Sequence, residues 1–305
     1  MVSGPRKGRL EMRRNHQPQG MGSASDGSKS LSINADCGSR LQRRTKVCAA
    51  IAVALLFGGL APTSHASIIA TDDANTGGYA PQPDHGWAGF NGGTGYNLWT
   101  PLADTGGGGT YMEGVGVNNR QVDGNYSFSL YSGSGSYDIS RPLTSSVTTG
   151  EFDILTRFDI AGAGPNLVNL RAGNNLAGFG SGELLSFGIV NGNELSYTDG
   201  SGFHLLSSGE ARGDVWSWDV VFNAGAGTYT LNVSQVGGGY SSGPITGSLE
   251  SSGTSVGSFA VINSSTGNNQ NVIFDDPTFS TVPEPAALSL IGGVMTMLSF
   301  RRRKA

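Results

Sequence analysis

Along the middle of the chain, apolar and polar residues alternate with a period of two, which predicts strands. Phe152, Ile154, Phe158 and Ile160 fall on one face of an extended segment, Asp153, Arg157 and Asp159 on the other, and Leu155 breaks the pattern. Trp216, Trp218, Val220 and Phe222 alternate with Ser217 and Asp219; past the loop 223–227, Tyr229, Leu231 and Val233 alternate with Thr228, Thr230 and Asn232. Two such runs joined by a short glycine-bearing loop predict a β-hairpin. Similar runs at 126–131, 167–171, 184–190, 194–198, 203–206, 258–262 and 272–279 predict further strands. No helical periodicity intervenes, so residues 67–282 are expected to form one all-β sandwich or jelly roll.

The two ends read differently. Arg43, Arg44 and Lys46 precede an apolar stretch from Val47 to Leu60, followed by small residues up to Ala66. These are the charged, hydrophobic and cleavage regions of a signal peptide over 43–66, with the cut expected between Ala66 and Ser67. Residues 1–42 are polar and basic without apolar periodicity, which predicts a disordered extension. At the other end, Pro283-Glu284-Pro285 precedes the apolar run Ala286–Phe300 and the cluster Arg301, Arg302, Arg303 and Lys304. As a helix that run reaches about 22 Å, short of the ~30 Å hydrocarbon core, so flanking residues must snorkel for it to span. The basic cluster is expected to stay cytoplasmic, leaving the preceding chain outside. The prolines mark an extended strip just before the membrane.

This ending resembles the sorting signal of PEP-CTERM proteins, which combines a Pro-Glu-Pro motif, a short hydrophobic helix and a terminal basic cluster. The resemblance covers only 283–305. It implies an exported bacterial protein that uses the secretion machinery and is then recognised at Pro283, Glu284 and Pro285 by an exosortase-type enzyme, with Arg301–Lys304 as the anchor.

Removing both ends changes the charge. Between Ser67 and Val282 there are nineteen acidic residues against five arginines and no lysine, a charge of −14 where the whole chain carries −4. Such a surface disfavours nucleic acid as a partner and makes divalent cations plausible counter-ions. Both cysteines, Cys37 and Cys48, precede the expected cut, which leaves the mature region no disulfide, thiolate nucleophile or cysteine metal site. The 49 glycines in 305 residues exceed the usual ~7%, yet the interleaved aromatics argue for short strands punctuated by turns rather than disorder.

The order Phe152–Ile160, Leu185–Ile189, Trp216–Trp218 and Gly227–Leu231 resembles concanavalin A-like and laminin-G-like sandwiches, a group that includes lectins, polysaccharide hydrolases and inert spacers. In the hydrolases of that fold an acid-x-acid-x-x-acid strand supplies nucleophile and acid/base; Glu151 and Asp153 match two positions and Thr156 stands at the third. A solvated strand face, with Arg157 pairing the acids, accounts for them better. His85 and His204 are isolated, and no serine sits in a Gly-x-Ser-x-Gly turn. Trp87 and Trp99, in a glycine- and asparagine-rich stretch, are candidates for stacking on sugars, against the competing reading that both are core. Asp72, Asp73, Asp275 and Asp276 are candidate oxygen ligands for Ca2+, since a sandwich could bring its two ends together; no other cofactor is indicated. The expectation is a non-catalytic surface or extracellular-matrix protein, held in the membrane by its C-terminal helix before processing. A carbohydrate-binding, lectin-like module is the alternative, and a glycoside hydrolase a more distant one.

Overall fold

The computed structural model describes residues 66–282, apart from 77, 80–85, 116–118, 160–163, 174–181, 210–212 and 265–270. The chain divides after Leu60, and everything described belongs to the unit 61–305. The expected signal and tail helices lie outside the described residues, as do His85, Pro283–Pro285 and Arg301–Lys304. Among the described residues no helix is long and apolar enough to cross a membrane.

These residues form two antiparallel sheets. The first runs in the order β13 (Ile245–Ser248), β12 (Thr228–Gln235), β11 (Val215–Asn223), β6 (Thr149–Asp159), β15 (Asn271–Ser280), β4 (Tyr126–Tyr131) and β3 (Gly109–Gly114), with β1 (Ile68–Thr71) added beside β15. The second runs β10 (Gly202–Ser208), β9 (Glu194–Asp199), β8 (Glu183–Val190), β7 (Asn166–Ala172), β14 (Val256–Asn263), β5 (Tyr137–Val147) and β2 (Thr100–Asp104). The fold is an all-β two-sheet sandwich, as the alternating pattern predicts.

The alternation sets which side chains meet between the sheets. Phe152 of β6 lies 5.2 Å from Phe259 of β14, and Trp218 of β11 stacks at 4.8 Å on Phe187 of β8. The hairpin β11–β12 turns through 224–227, where the Asn223 carboxamide oxygen accepts from the Ala226 N–H and Gly227 takes φ +71°. A positive φ of that size is inexpensive only for glycine.

The segment after β1 folds back into the sandwich. Trp87 and Trp99 are 2% and 1% exposed and pack edge-on at 4.8 Å, with Phe128 and Phe274 against both. Beside them a buried polar network closes the core. The Arg141 guanidinium lies 2.7 Å from Asp72 Oδ2, with both side chains at 0% exposure, and donates to the Phe90 carbonyl at 3.2 Å and the Asn91 carboxamide at 2.6 Å. Tyr79 Oη and Trp99 Nε1 donate to the same Asp72 oxygen at 2.6 and 3.2 Å. Arg141 also lies over the Trp99 ring at 4.9 Å, a cation–π contact.

Candidate functional site

Along β6, β11 and β12 burial alternates, so one face packs inward and the other faces out. On that outer face antiparallel pairing places Asp153 of β6 directly opposite Asp219 of β11, and Glu151 opposite Val221. One carboxylate oxygen from each of Glu151, Asp153 and Asp219 lies within 4.8 Å of the others. Asn232 of β12, opposite Asp219, donates its side-chain N–H to Asp219 Oδ2 at 2.9 Å. Like charges facing each other across a strand pair are destabilising, so the fold retains a local conflict here. Partial burial, then the charges of Glu151 and Asp219, push the Asp153 carboxyl up to about 7. Glu151 is also raised, by burial and then by Asp219.

Next to this cluster the same sheet bears a cleft of about 570 Å³. Val221, the cross-strand neighbour of Glu151, lines it together with Thr149, Asn223, Thr228, Thr230, Thr246 and Ser248. Threonine and serine hydroxyls and a carboxamide thus line the cleft together with the apolar Val221, Phe222 and Val282, beside three carboxylates. Hydroxyls donate and accept, whereas carboxylates accept; together they match the hydrogen-bonding capacity of a polyhydroxylated ligand.

The structure redistributes the residues singled out from sequence. Trp87 and Trp99 are enclosed on both faces, and their indole N–H groups are spent on the Tyr111 carbonyl and on Asp72 and Tyr79, so neither ring offers a face to a sugar. Thr156 does not lie on the acidic face: it is buried and accepts from Trp218 Nε1 at 2.8 Å. The third acid beside Glu151 and Asp153 is Asp219, from another strand. Arg157 pairs with Asp159 at 3.1 Å rather than with the two acids. His204 stacks on Tyr197 at 4.5 Å. Its Nε2 meets both Ser201 Oγ at 2.9 Å and Asp199 Oδ1 at 3.0 Å, so no relay runs through the ring from serine to carboxylate. Burial opposes ionisation of Asp199, but hydrogen bonds from Ser201, Tyr229 and His204 hold its carboxyl at about 2.

Of the four aspartates proposed as ligands, Asp72 is committed to Arg141. Burial, the largest influence, raises its carboxyl against the pull of Arg141, Tyr79 and Trp99. Asp73, Asp275 and Asp276, from opposite ends of the described residues, come together with one oxygen of each within 4.8 Å of the others. Ala66 and Ser67, at the expected cleavage point, are exposed. Ser67 N–H donates to Thr281 Oγ1 at 2.9 Å, which holds the start of the described segment beside its end.

No protein-family model matches the chain, and no curated protein matches it in sequence. Among solved structures it is similar to the metal-free lectin I-B4 of Griffonia simplicifolia, at 9% identity over 61% of this chain and 93% of that one, with TM-score 0.38. It is similar to the globular domain of T. cruzi calreticulin, at 10% identity over 68% and 95%, with TM-score 0.40. A further likeness is to lectin I of Ulex europaeus in complex with the methyl glycoside of α-L-fucose, at 10% identity over 60% and 97%, with TM-score 0.40. Likeness at this level does not bear on what this chain binds; the two-sheet sandwich rests on its own strand pairing.

Proposed function

We propose that the chain is an exported bacterial surface or matrix protein whose sandwich binds polysaccharide in the cleft beside Glu151, Asp153 and Asp219. The observation that carries the binding reading is the juxtaposition of that acidic cluster with a hydroxyl-lined concavity on one outer sheet face. The export and sorting part rests on sequence: the signal-peptide pattern ending at Ala66 and the Pro283-Glu284-Pro285 tail with its basic cluster. In this reading exosortase recognises the tail, and the sandwich works outside the cell without catalysis. A screen of soluble and insoluble polysaccharides against the purified full-length chain tests the binding. Saturable retention on a defined polysaccharide supports it; a blank across neutral and acidic polysaccharides, with a cooperative thermal unfolding transition, refutes it. Replacing Glu284 with Ala and following the protein through cell fractions tests the sorting reading.

A second reading, glycoside hydrolysis, has one observation in its favour. Asp219 supplies the third acid that Thr156 fails to supply, and Asp153 is held partly protonated near neutral pH, as a general acid must be. Release of reducing ends in the same screen, lost in Glu151→Gln and Asp219→Asn, would move the protein into that class. Retention without release supports the non-catalytic reading.

A further inference from the structure

The last strand of the first sheet changes neighbours halfway along. Residues 271–274 of β15 pair with β4 and residues 278–280 pair with β1. Between them lies a bulge at 275–278, where Asp276 takes φ +55°. Bulges re-aim side chains and recur beside functional sites, and an aspartate with positive φ is uncommon. The turn that follows β1 packs against this bulge. Ala74 N–H donates to Asp275 Oδ1 at 3.0 Å, while Asn75 spans from Asp73 to the start of β4, donating to the Tyr126 carbonyl at 3.2 Å and accepting from its N–H at 2.9 Å. Three parts of the chain therefore meet at a point occupied by the carboxylates of Asp73, Asp275 and Asp276, with Asp123 next to Asp276.

Asp275 is the second and independent observation. Its side chain is 0% exposed; Oδ1 accepts from two backbone N–H groups, of Ala74 and Asp276, but Oδ2 has no hydrogen-bond partner. A buried carboxylate oxygen without a partner carries a large desolvation penalty, and it belongs to a carboxylate grouped with two others instead of with a cation. A proton on Oδ2 would neutralise Asp275 alone and leave the charges of Asp73 and Asp276 unbalanced. A divalent cation would satisfy the orphan oxygen and neutralise its neighbours together.

We propose that Asp73, Asp275 and Asp276 bind one calcium ion that ties the first strand of the mature segment to the last. The donors are all oxygens, with no His or Cys among them, which suits a hard cation and not zinc. Calcium also accepts backbone carbonyls and water to complete its six to eight ligands, so three carboxylates at an irregular bulge suffice as the protein's charged share. The site lies apart from the cleft residues, and its role is structural: it would fasten the exported fold where extracellular calcium is available.

The test uses the purified full-length chain stripped with EGTA. Thermal unfolding is followed with and without calcium, and bound calcium is counted by equilibrium dialysis. At calcium a hundred times its Kd, linkage predicts a rise in Tm of roughly 5–10 °C. One ion per chain is expected, lost together with the Tm response in Asp275→Asn and in Asp73→Asn. Asp73 is less buried than Asp275, so its variant keeps the test readable where Asp275→Asn fails to fold. Glu151→Gln, in the cleft-side acidic cluster, should keep the full response. No calcium-dependent shift in the wild type overturns the proposal, as does a shift that survives in Asp73→Asn or disappears in Glu151→Gln.

Discussion

Replacing Arg141 with Met should be among the most damaging single changes in this protein. Both side chains of its ion pair with Asp72 are fully buried, 2.7 Å apart. Methionine fills much of the arginine's volume, so the loss is electrostatic rather than a cavity. It leaves Asp72 with the Tyr79 and Trp99 donors but no countercharge, and takes the guanidinium donor from the Asn91 carboxamide oxygen and the Asn97 carbonyl, while the Phe90 carbonyl keeps the Trp99 backbone N–H. Removing one partner of a buried pair costs about 3–5 kcal/mol, which for a domain of this size lowers Tm by roughly 6–20 °C. Adding Asp72→Asn should recover part of the loss, on the order of 2 kcal/mol, because the amide keeps an acceptor for Tyr79 and Trp99 without the charge. Urea unfolding followed by tryptophan fluorescence measures both variants, with Trp99 itself in the network. A single variant costing under about 1 kcal/mol, or a double variant no better than the single, would refute the reasoning.

Other consequences are measurable in the same preparations. Asp153 and Glu183 are each pushed up to about 7, both by burial first and then by neighbouring acids. Their folded pKa lies above the unfolded value, so the folded state binds the extra protons and stability should fall as pH rises from about 4 to 8. Asp153→Asn should flatten that slope and stabilise the protein at pH 8 by about 1–2 kcal/mol, after allowance for solvent screening of a half-buried group; urea midpoints across pH check it. Trp87→Ala and Trp99→Ala should each cost about 3–5 kcal/mol through the cavity they leave, and any loss of ligand binding should track the unfolded fraction. Gly95→Ala should cost roughly 3 kcal/mol or more, because Gly95 has φ +74° and an added Cβ would sit 2.2 Å from the Ile69 carbonyl oxygen; thermal melts would show it.

The strands that sequence reveals are those with one apolar and one polar face. At β6, β11 and β12 the polar set faces out, and the pattern alone fixes which residues enter the core. β5 escaped because Tyr137–Leu143 is buried throughout, so the segment has no polar stripe, and Pro142 and Arg141 disguise it further. β1, β2 and β13 are short and carry no clean apolar–polar alternation. Among the site residues, Asp219 was visible as a polar position of β11, but its place beside Asp153 depends on pairing between strands sixty residues apart. Thr156 shows the converse failure. A spacing motif presumes a common face, yet this threonine serves Trp218 inside the core. The charge count and the two chain ends pointed to the Asp73–Asp275–Asp276 cluster, whereas the separation of Asp72 from it, toward Arg141, required the fold.

The central claim is that the cleft on the first sheet is where polysaccharide binds. Its most direct test is calorimetric titration of the oligosaccharide that performs best in the screen into the wild-type chain and into Thr230→Trp. Thr230 lines the cleft from an outward position of β12, so the indole should fill the cleft without touching the core. Loss of binding with Tm unchanged is the predicted result. Binding of undiminished affinity in the folded Thr230→Trp protein would contradict it.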